Sequence, residues 1–239
     1  MSDTIGARVG RAEGPDKVTG RAIYPADVKL DGTLVGKCLR SPHPYARIVR
    51  IDTSRAVAVR GVHAVLTGAD IDNRRVGRML RDLPILADGV VRFVGQKVAA
   101  VASESLEVAE AALAEIQVEY EPMDPLLGVD AAVADRATVL HLEFDTYEGR
   151  VEEERMHPNL VARGTCGKGS VTEGEALSDC VFKHTFETQH QHQGYIEPHA
   201  TTVMIDADGR VQVWVNSKGP WQVRTQLAAG IGAEESGCG

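Results

Sequence analysis

The sequence predicts a mixed α+β fold. Three observations carry this: short β-rich runs between residues 34 and 120, one amphipathic helix at Ser103–Ile116, and a hairpin signal at Asp206–Gly209. They divide the 239 residues into four parts: an extension over 1–17, a domain over 18–122, a connector over 123–169, and a region over 170–239. The last part is expected to be incomplete, because two or three strands and one helix do not close a core.

In the first domain, Leu34–Leu39, Ile48–Ile51 and Val62–Leu66 read as strands, the last closed by Thr67-Gly68. Val90–Val101 holds two β-rich runs around Gly95. The helix at Ser103–Ile116 places Leu106, Ala109, Leu113 and Ile116 on one face, in steps of three and four. Ser103 is the expected cap, with Glu104 and Glu107 where the positive end of the helix dipole favours acid. Gln117–Tyr120 follows as a strand, closed by Glu121-Pro122.

The connector lacks a clear period. It carries an acidic cluster at Glu152–Glu154 and is punctuated by Pro158, Gly164, Gly167 and Gly169. Segments of this kind run over surfaces and join domains. From about Ser170 β character is expected to resume. Thr201–Ile205 and Val211–Val215 flank Asp206-Ala207-Asp208-Gly209, where Asp-Gly suits a turn that needs positive φ. A helix is expected from Pro220 through Val223, Leu227 and Ala228.

Composition excludes several classes. A net charge of −8 without an offsetting basic stripe disfavours nucleic acid. The one basic run, Arg74-Arg75 with Arg78 and Arg81, is short and reads as a solvated face or a partner contact. No apolar stretch approaches the ~20 residues of a membrane span, and residues 1–14 lack the apolar core of a secretory signal, so a cytoplasmic location is expected. The cysteines Cys38, Cys166, Cys180 and Cys238 form no C-x-x-C pair, and an iron–sulfur cluster would have to sit on another chain. Packing as small hydrophobes is their default role.

Two local patterns invite chemistry. Within His184–His199, His190 and His192 would share one face of a strand, with Glu187 and Glu197 near by. A metal site needs three or four converging ligands with an orienting outer shell, so polar lining of a strand is the favoured reading. Cys166 lies in the glycine-flanked loop Gly164-Thr-Cys-Gly167, but no base or charge adjoins it in sequence to activate a nucleophile. The glycines there match a phosphate-binding loop only loosely.

Six runs resemble the opening of the molybdopterin subunit of the xanthine dehydrogenase/aldehyde oxidase family. They are Gly14–Asp27, Leu39–Ile48, Ile51–Ser54, Gly61–Ile71, Val91–Val101 and Ile116–Glu121, in the family's order and spacing. Gln193-Gly-Tyr-Ile-Glu-Pro198, the hairpin, and Pro220 with Arg224 resemble the start of the molybdopterin-binding domain. The resemblance implies an α/β-hammerhead domain over 18–122 and an incomplete molybdopterin-binding domain over 170–239.

It further implies hydroxylation of an aldehyde, an N-heterocycle or a related carbon centre, with water supplying the oxygen at a molybdenum cofactor and a glutamate as base. Electrons would leave through [2Fe-2S] clusters and FAD on partner chains or domains. No catalytic residue can be carried over, because the family's G-G-G-F-G motif and base glutamate have no match in this sequence. One cofactor-facing position can: many members place a glutamine just after the hairpin, and the matching residue here is Lys218, in Asn216-Ser-Lys-Gly-Pro220. A lysine there still donates a hydrogen bond but brings a full charge. A misregister by one residue, or a plain loop lysine, is the competing explanation. A non-catalytic scaffold for iron–sulfur and flavin subunits, and a truncated product without independent function, remain open.

Overall fold

The computed structural model describes residues 6–71, 74–151 and 157–239. The acidic cluster Glu152–Glu154 lies outside them. The described chain forms two compact units, one of residues 1–125 with 197–239 and one of 126–196.

The first unit opens with α1 (Gly14–Val18) and a 3-10 turn at Pro25–Asp27. Then follow β1 (Val35–Arg40), β2 (Ala46–Asp52), α2 (Ser54–Val57) and β3 (Val62–Thr67). Three two-residue strands come next: β4 (Arg75–Val76), β5 (Leu83–Pro84) and β6 (Val90–Val91). The domain is completed by β7 (Lys97–Ser103), α3 (Leu106–Glu115) and β8 (Gln117–Pro122). The strands build two antiparallel sheets of three, ordered β1-β7-β3 and β6-β2-β8, with β4 and β5 as a separate pair. Val98, Ala99 and Val101 of central β7 are all but inaccessible to solvent.

The core follows from small residues on α3. Ala109 and Ala112 are fully buried, which lets the helix approach β1 and β7 closely. Ala112 joins Ala56, Ala99, Val101 and Ile116 in one cluster, and Ala46, Ala87, Val91 and Val98 form a second. Ile51 and Val118 pack against both and join them. Each fully buried valine contributes ~1.5–3 kcal/mol.

Two expectations about α3 are corrected. Its cap is Ser105, whose side chain accepts from the Val108 amide at 3.3 Å. Ser103 is still part of β7, fully buried, with its hydroxyl donating to the Ser105 carbonyl at 2.8 Å. Leu106 is 43% exposed and leaves the packing to Ala109, Ala112, Leu113 and Ile116. The shift of two residues in the start accounts for this: Leu106 becomes the first helical residue, on a turn the sheet does not reach.

The same unit also contains β9 (Thr201–Ile205), β10 (Val211–Val215), α6 (Pro220–Ile231) and a 3-10 turn at Glu235–Gly237. β9 and β10 form the expected hairpin, in register from Val211↔Ile205 to Val215↔Thr201. Asp206 organises its turn, accepting from the amides of Asp208 at 3.0 Å and Arg210 at 2.9 Å. Gly209 takes φ +80°, the conformation Asp-Gly was expected to supply. The basic run serves backbone carbonyls: Arg75 donates to Asp82 at 3.0 Å and Arg74 to Ala229 of α6 at 3.5 Å.

The second unit has α4 (Val129–Ala132), a 3-10 turn at Phe144–Thr146 and α5 (Val171–Ala176). It is tied by Asn159, whose Nδ2 donates to the carbonyls of Ala132 and Thr138, each at 2.9 Å, while its Oδ1 accepts from Leu140 at 3.0 Å. Phe144 and Tyr147 are buried, their ring centres 5.9 Å apart. β character therefore resumes at Thr201, not near Ser170. Residues 177–196 are exposed and offer no neighbouring strand edge to pair with. Among the described residues no helix is long and apolar enough to cross a membrane.

Candidate functional site

The loop between β10 and α6 gathers the most specific polar arrangement in the first unit. It is clamped by Asn216. The side-chain oxygen accepts from the Ala200 amide at 3.3 Å, and Nδ2 donates to the Pro198 carbonyl at 3.2 Å, so the exit of β10 is fastened to the entry of β9. The Ser217 hydroxyl accepts from the Gly219 amide at 3.0 Å. Gly219 precedes α6 and Pro220 occupies the first helical position, where a missing N–H costs nothing.

Lys218 stands on this clamped loop, exposed at the amino end of α6. Among the described residues its ammonium has neither a hydrogen bond nor an ion pair. The first helical bond runs from Val223 to the Gly219 carbonyl, which leaves the Trp221 and Gln222 amides at the open end of the helix. An ammonium beside a helix amino terminus is a donor-only, positive arrangement. It suits an anionic or oxo-bearing group and cannot serve as a base.

Behind the loop, Val213, Val215, Trp221, Val223, Leu227 and Cys238 line an apolar cavity of about 300 Å³. Arg224 also reaches it, with its guanidinium 4.8 Å from the Trp221 ring centre and Nη2 3.7 Å from Glu235. Its Nε is buried with no acceptor among the described residues. Asn216 and Arg224 give the site its shape; both lie in the family-like runs of the sequence, but only Lys218 was singled out there as facing the cofactor. The one sequence signal for Asn216 was an amide placed directly after a strand, where side chains fasten turns.

The histidine segment departs from expectation. Residues 184–199 form no strand, so His190 and His192 share no sheet face. His192 Nδ1 accepts from the Gly194 amide at 3.0 Å and its ring lies 5.3 Å from Tyr195. Local turns of this kind replace a strand that lacks a neighbour. Among the described residues no three His, Cys, Asp or Glu side chains converge as metal ligands. Cys166 and Cys180 are exposed rather than packed, while Cys238 is buried.

Residues 19–124 match the family model of the aldehyde oxidase and xanthine dehydrogenase α/β hammerhead domain. Residues 152–237 match that of the molybdopterin cofactor-binding domain. A probable xanthine dehydrogenase subunit from Bacillus subtilis is 35% identical over 219 residues, covering 91% of this chain and 28% of the relative. The carbon monoxide dehydrogenase large chain of Afipia carboxidovorans is 31% identical, covering 97% and 29%. Among solved structures, reconstituted CO dehydrogenase from Oligotropha carboxidovorans superimposes with a TM-score of 0.87 at 30% identity, covering 98% of this chain and 30% of that one. Quinoline 2-oxidoreductase from Pseudomonas putida 86 gives 0.79 at 31%, covering 96% and 29%. The chain thus spans under a third of the length of these relatives.

Proposed function

Because the chain belongs to the xanthine dehydrogenase/aldehyde oxidase family, with an α/β-hammerhead domain followed by the start of a molybdopterin-binding domain, we propose that it forms the N-terminal part of a molybdenum hydroxylase large subunit and acts only in complex. The observation that carries this reading is the order of the two domain matches, hammerhead over 19–124 and cofactor-binding over 152–237. The reaction is the hydroxylation of an aldehyde, an N-heterocycle or a related carbon centre, with water as oxygen source. The partners are the remainder of the large subunit and chains or domains carrying [2Fe-2S] clusters and FAD, in the cytoplasm.

The residues present fit a molybdopterin cofactor on one side. When bound, the cofactor supplies the two-electron oxidation of the substrate carbon. Lys218 would donate a hydrogen bond to it from the Asn216-clamped loop, at the position where glutamine is usual in the family. Its positive charge raises the local potential and disfavours further cations. Among the described residues no carboxylate or imidazole forms a hydrogen bond or ion pair with Lys218, and proton removal is assigned to the remainder of the subunit.

Metal analysis tests the reading. The purified chain alone is expected to hold no stoichiometric molybdenum and to hydroxylate nothing. Co-expressed with a polypeptide carrying the G-G-G-F-G motif and the base glutamate, it is expected to co-purify with one molybdenum per complex. One molybdenum on the isolated chain would sink the requirement for a partner, and a co-purifying but metal-free complex would favour a non-catalytic scaffold.

A further inference from the structure

The loop that carries Lys218 is a positive feature without a negative partner. Acidic residues commonly occupy the first turn of a helix, where they complement the positive end of its dipole. The first turn of α6 has none, and its N-cap, Gly219, makes no side-chain cap bond. A lysine precedes that cap instead, so the ammonium and the open Trp221 and Gln222 amides add with the same sign. Across the Asn216 clamp stands Glu197, beside Pro198 in sequence. Among the described residues it forms neither a hydrogen bond nor an ion pair with Lys218. Asp206 and Asp208 lie in the turn at the other end of β10.

The chain as a whole carries a net charge of −8, and a field of that sign repels anions. Lys218 inverts the sign locally, on a loop that Asn216 and Ser217 hold in place through bonds of 3.0–3.3 Å. The change from an amide to an ammonium also alters the bonding. A glutamine amide offers two N–H donors and an acceptor oxygen, whereas an ammonium offers three donors, no acceptor and a full charge. One bond to a cofactor oxygen leaves two donors for a second anionic group.

We propose that Lys218 sets the substrate class: an aldehyde or N-heterocycle that carries a carboxylate, bound through the ammonium. The inference rests on the large-subunit reading above. Such pairing supplies discrimination, because a neutral analogue forgoes the charge-assisted bond and leaves the ammonium unpaired.

Isothermal titration of the co-purified, molybdenum-loaded complex at low ionic strength tests this, with benzoate and its neutral counterpart benzamide as probes. Benzoate is expected to bind tighter than benzamide by on the order of tenfold or more. Lys218→Gln should erase that preference and leave benzamide binding unchanged. Lys218→Arg should keep it, and added salt should weaken benzoate binding alone. Turnover of para-formylbenzoate against its methyl ester, and of isonicotinate against isonicotinamide, separates aldehyde from heterocycle: the carboxylate has the higher kcat/KM in the pair that matches the substrate. Equal binding of benzoate and benzamide, a preference that survives in Lys218→Gln, no binding of either, or equal kcat/KM within both pairs would overturn the proposal. Molybdenum content keeps the two readings apart. A loaded complex without the preference sinks this inference alone, whereas a metal-free complex sinks the hydroxylase reading and the substrate class with it.

Discussion

The guanidinium of Arg74 occupies the space that a Cβ on Gly232 would enter, 2.9 Å from either terminal nitrogen. Gly232 ends α6 in the left-handed region at φ +71°, and Arg74 Nη1 reaches the Ala229 carbonyl at 3.5 Å. The helix that follows the Lys218 loop is thus stopped by a residue from the first domain. A cation at the carboxyl end of α6 also complements the helix dipole.

Gly232→Ala is expected to lower stability by ~1–3 kcal/mol, from positive φ and from the clash with Arg74. Arg74→Ala alone should cost ~0.3–1 kcal/mol. Urea melts of the double variant should show less than the summed loss. Equal costs of Gly232→Ala in both backgrounds would reject the contact.

At the start of α3, Ser105→Ala should cost ~0.5–2 kcal/mol, and Ser105→Asp much less, because Asp restores the acceptor for the Val108 amide. A thermal melt in which Asp rescues nothing would show that the cap contributes no stability.

The hairpin, the strand at Val62, and the helices near residues 106 and 220 were legible because their signals are local: turn chemistry, alternation, and steps of three and four. Ser103 and Ser105 were not separable. Both can cap, and what decides between them is that β7 runs to Ser103 to pair with Val35 and Val62. β4 and β5 are two residues each, too short to carry a period, whereas β6 falls inside the β-rich run that begins at Val90. The family pattern singled out Lys218, and the structure places it exposed on the loop between β10 and α6. The Asn216 clamp depends on Pro198 and Ala200 lying across the hairpin, and Arg224 depends on the turn of α6, neither of which sequence spacing alone fixes.

Leu113→Ala is expected to cost ~2–5 kcal/mol, near the lower end because the side chain is only partly buried against Ala99 and Val101. Leu106→Ala, at an exposed position, should stay within ~0.5 kcal/mol. A Leu113→Ala cost as small as that of Leu106→Ala in denaturant melts would place the Leu113 side chain outside the core.

The Asp206 carboxyl is held below its ordinary range, first by the Arg210 amide and then by the Gln212 side chain and the Asp208 amide. A depressed folded value means that the stabilisation is complete above the unfolded pKa, about 3.9, and fades as pH falls through the lower folded value. Asp206→Asn keeps an acceptor but cannot titrate. Its stability should therefore fall less steeply than the parent's below about pH 4. Parallel acid limbs in the two titrations would remove Asp206 from the account.

Lys218→Gln should leave the melt of the isolated chain within ~0.5 kcal/mol of the parent, since the residue is exposed. In the assembled complex the same change should alter kcat/KM by on the order of tenfold or more, as expected for a charge removed beside developing charge. An unchanged kcat/KM would place Lys218 away from the cofactor.

The strand order β1-β7-β3 has a consequence during synthesis on the ribosome. β1 and β3 both wait for β7, whose first residue, Lys97, emerges long after Arg40. At ~5–20 residues per second the wait for β1 is several seconds, far longer than the microseconds in which a local hairpin closes. Through that interval the nascent chain carries two strands with bare edges and no central partner. Silent codon changes that slow decoding between the codons for Thr67 and Lys97 are therefore expected to increase the nascent chain's engagement with chaperones.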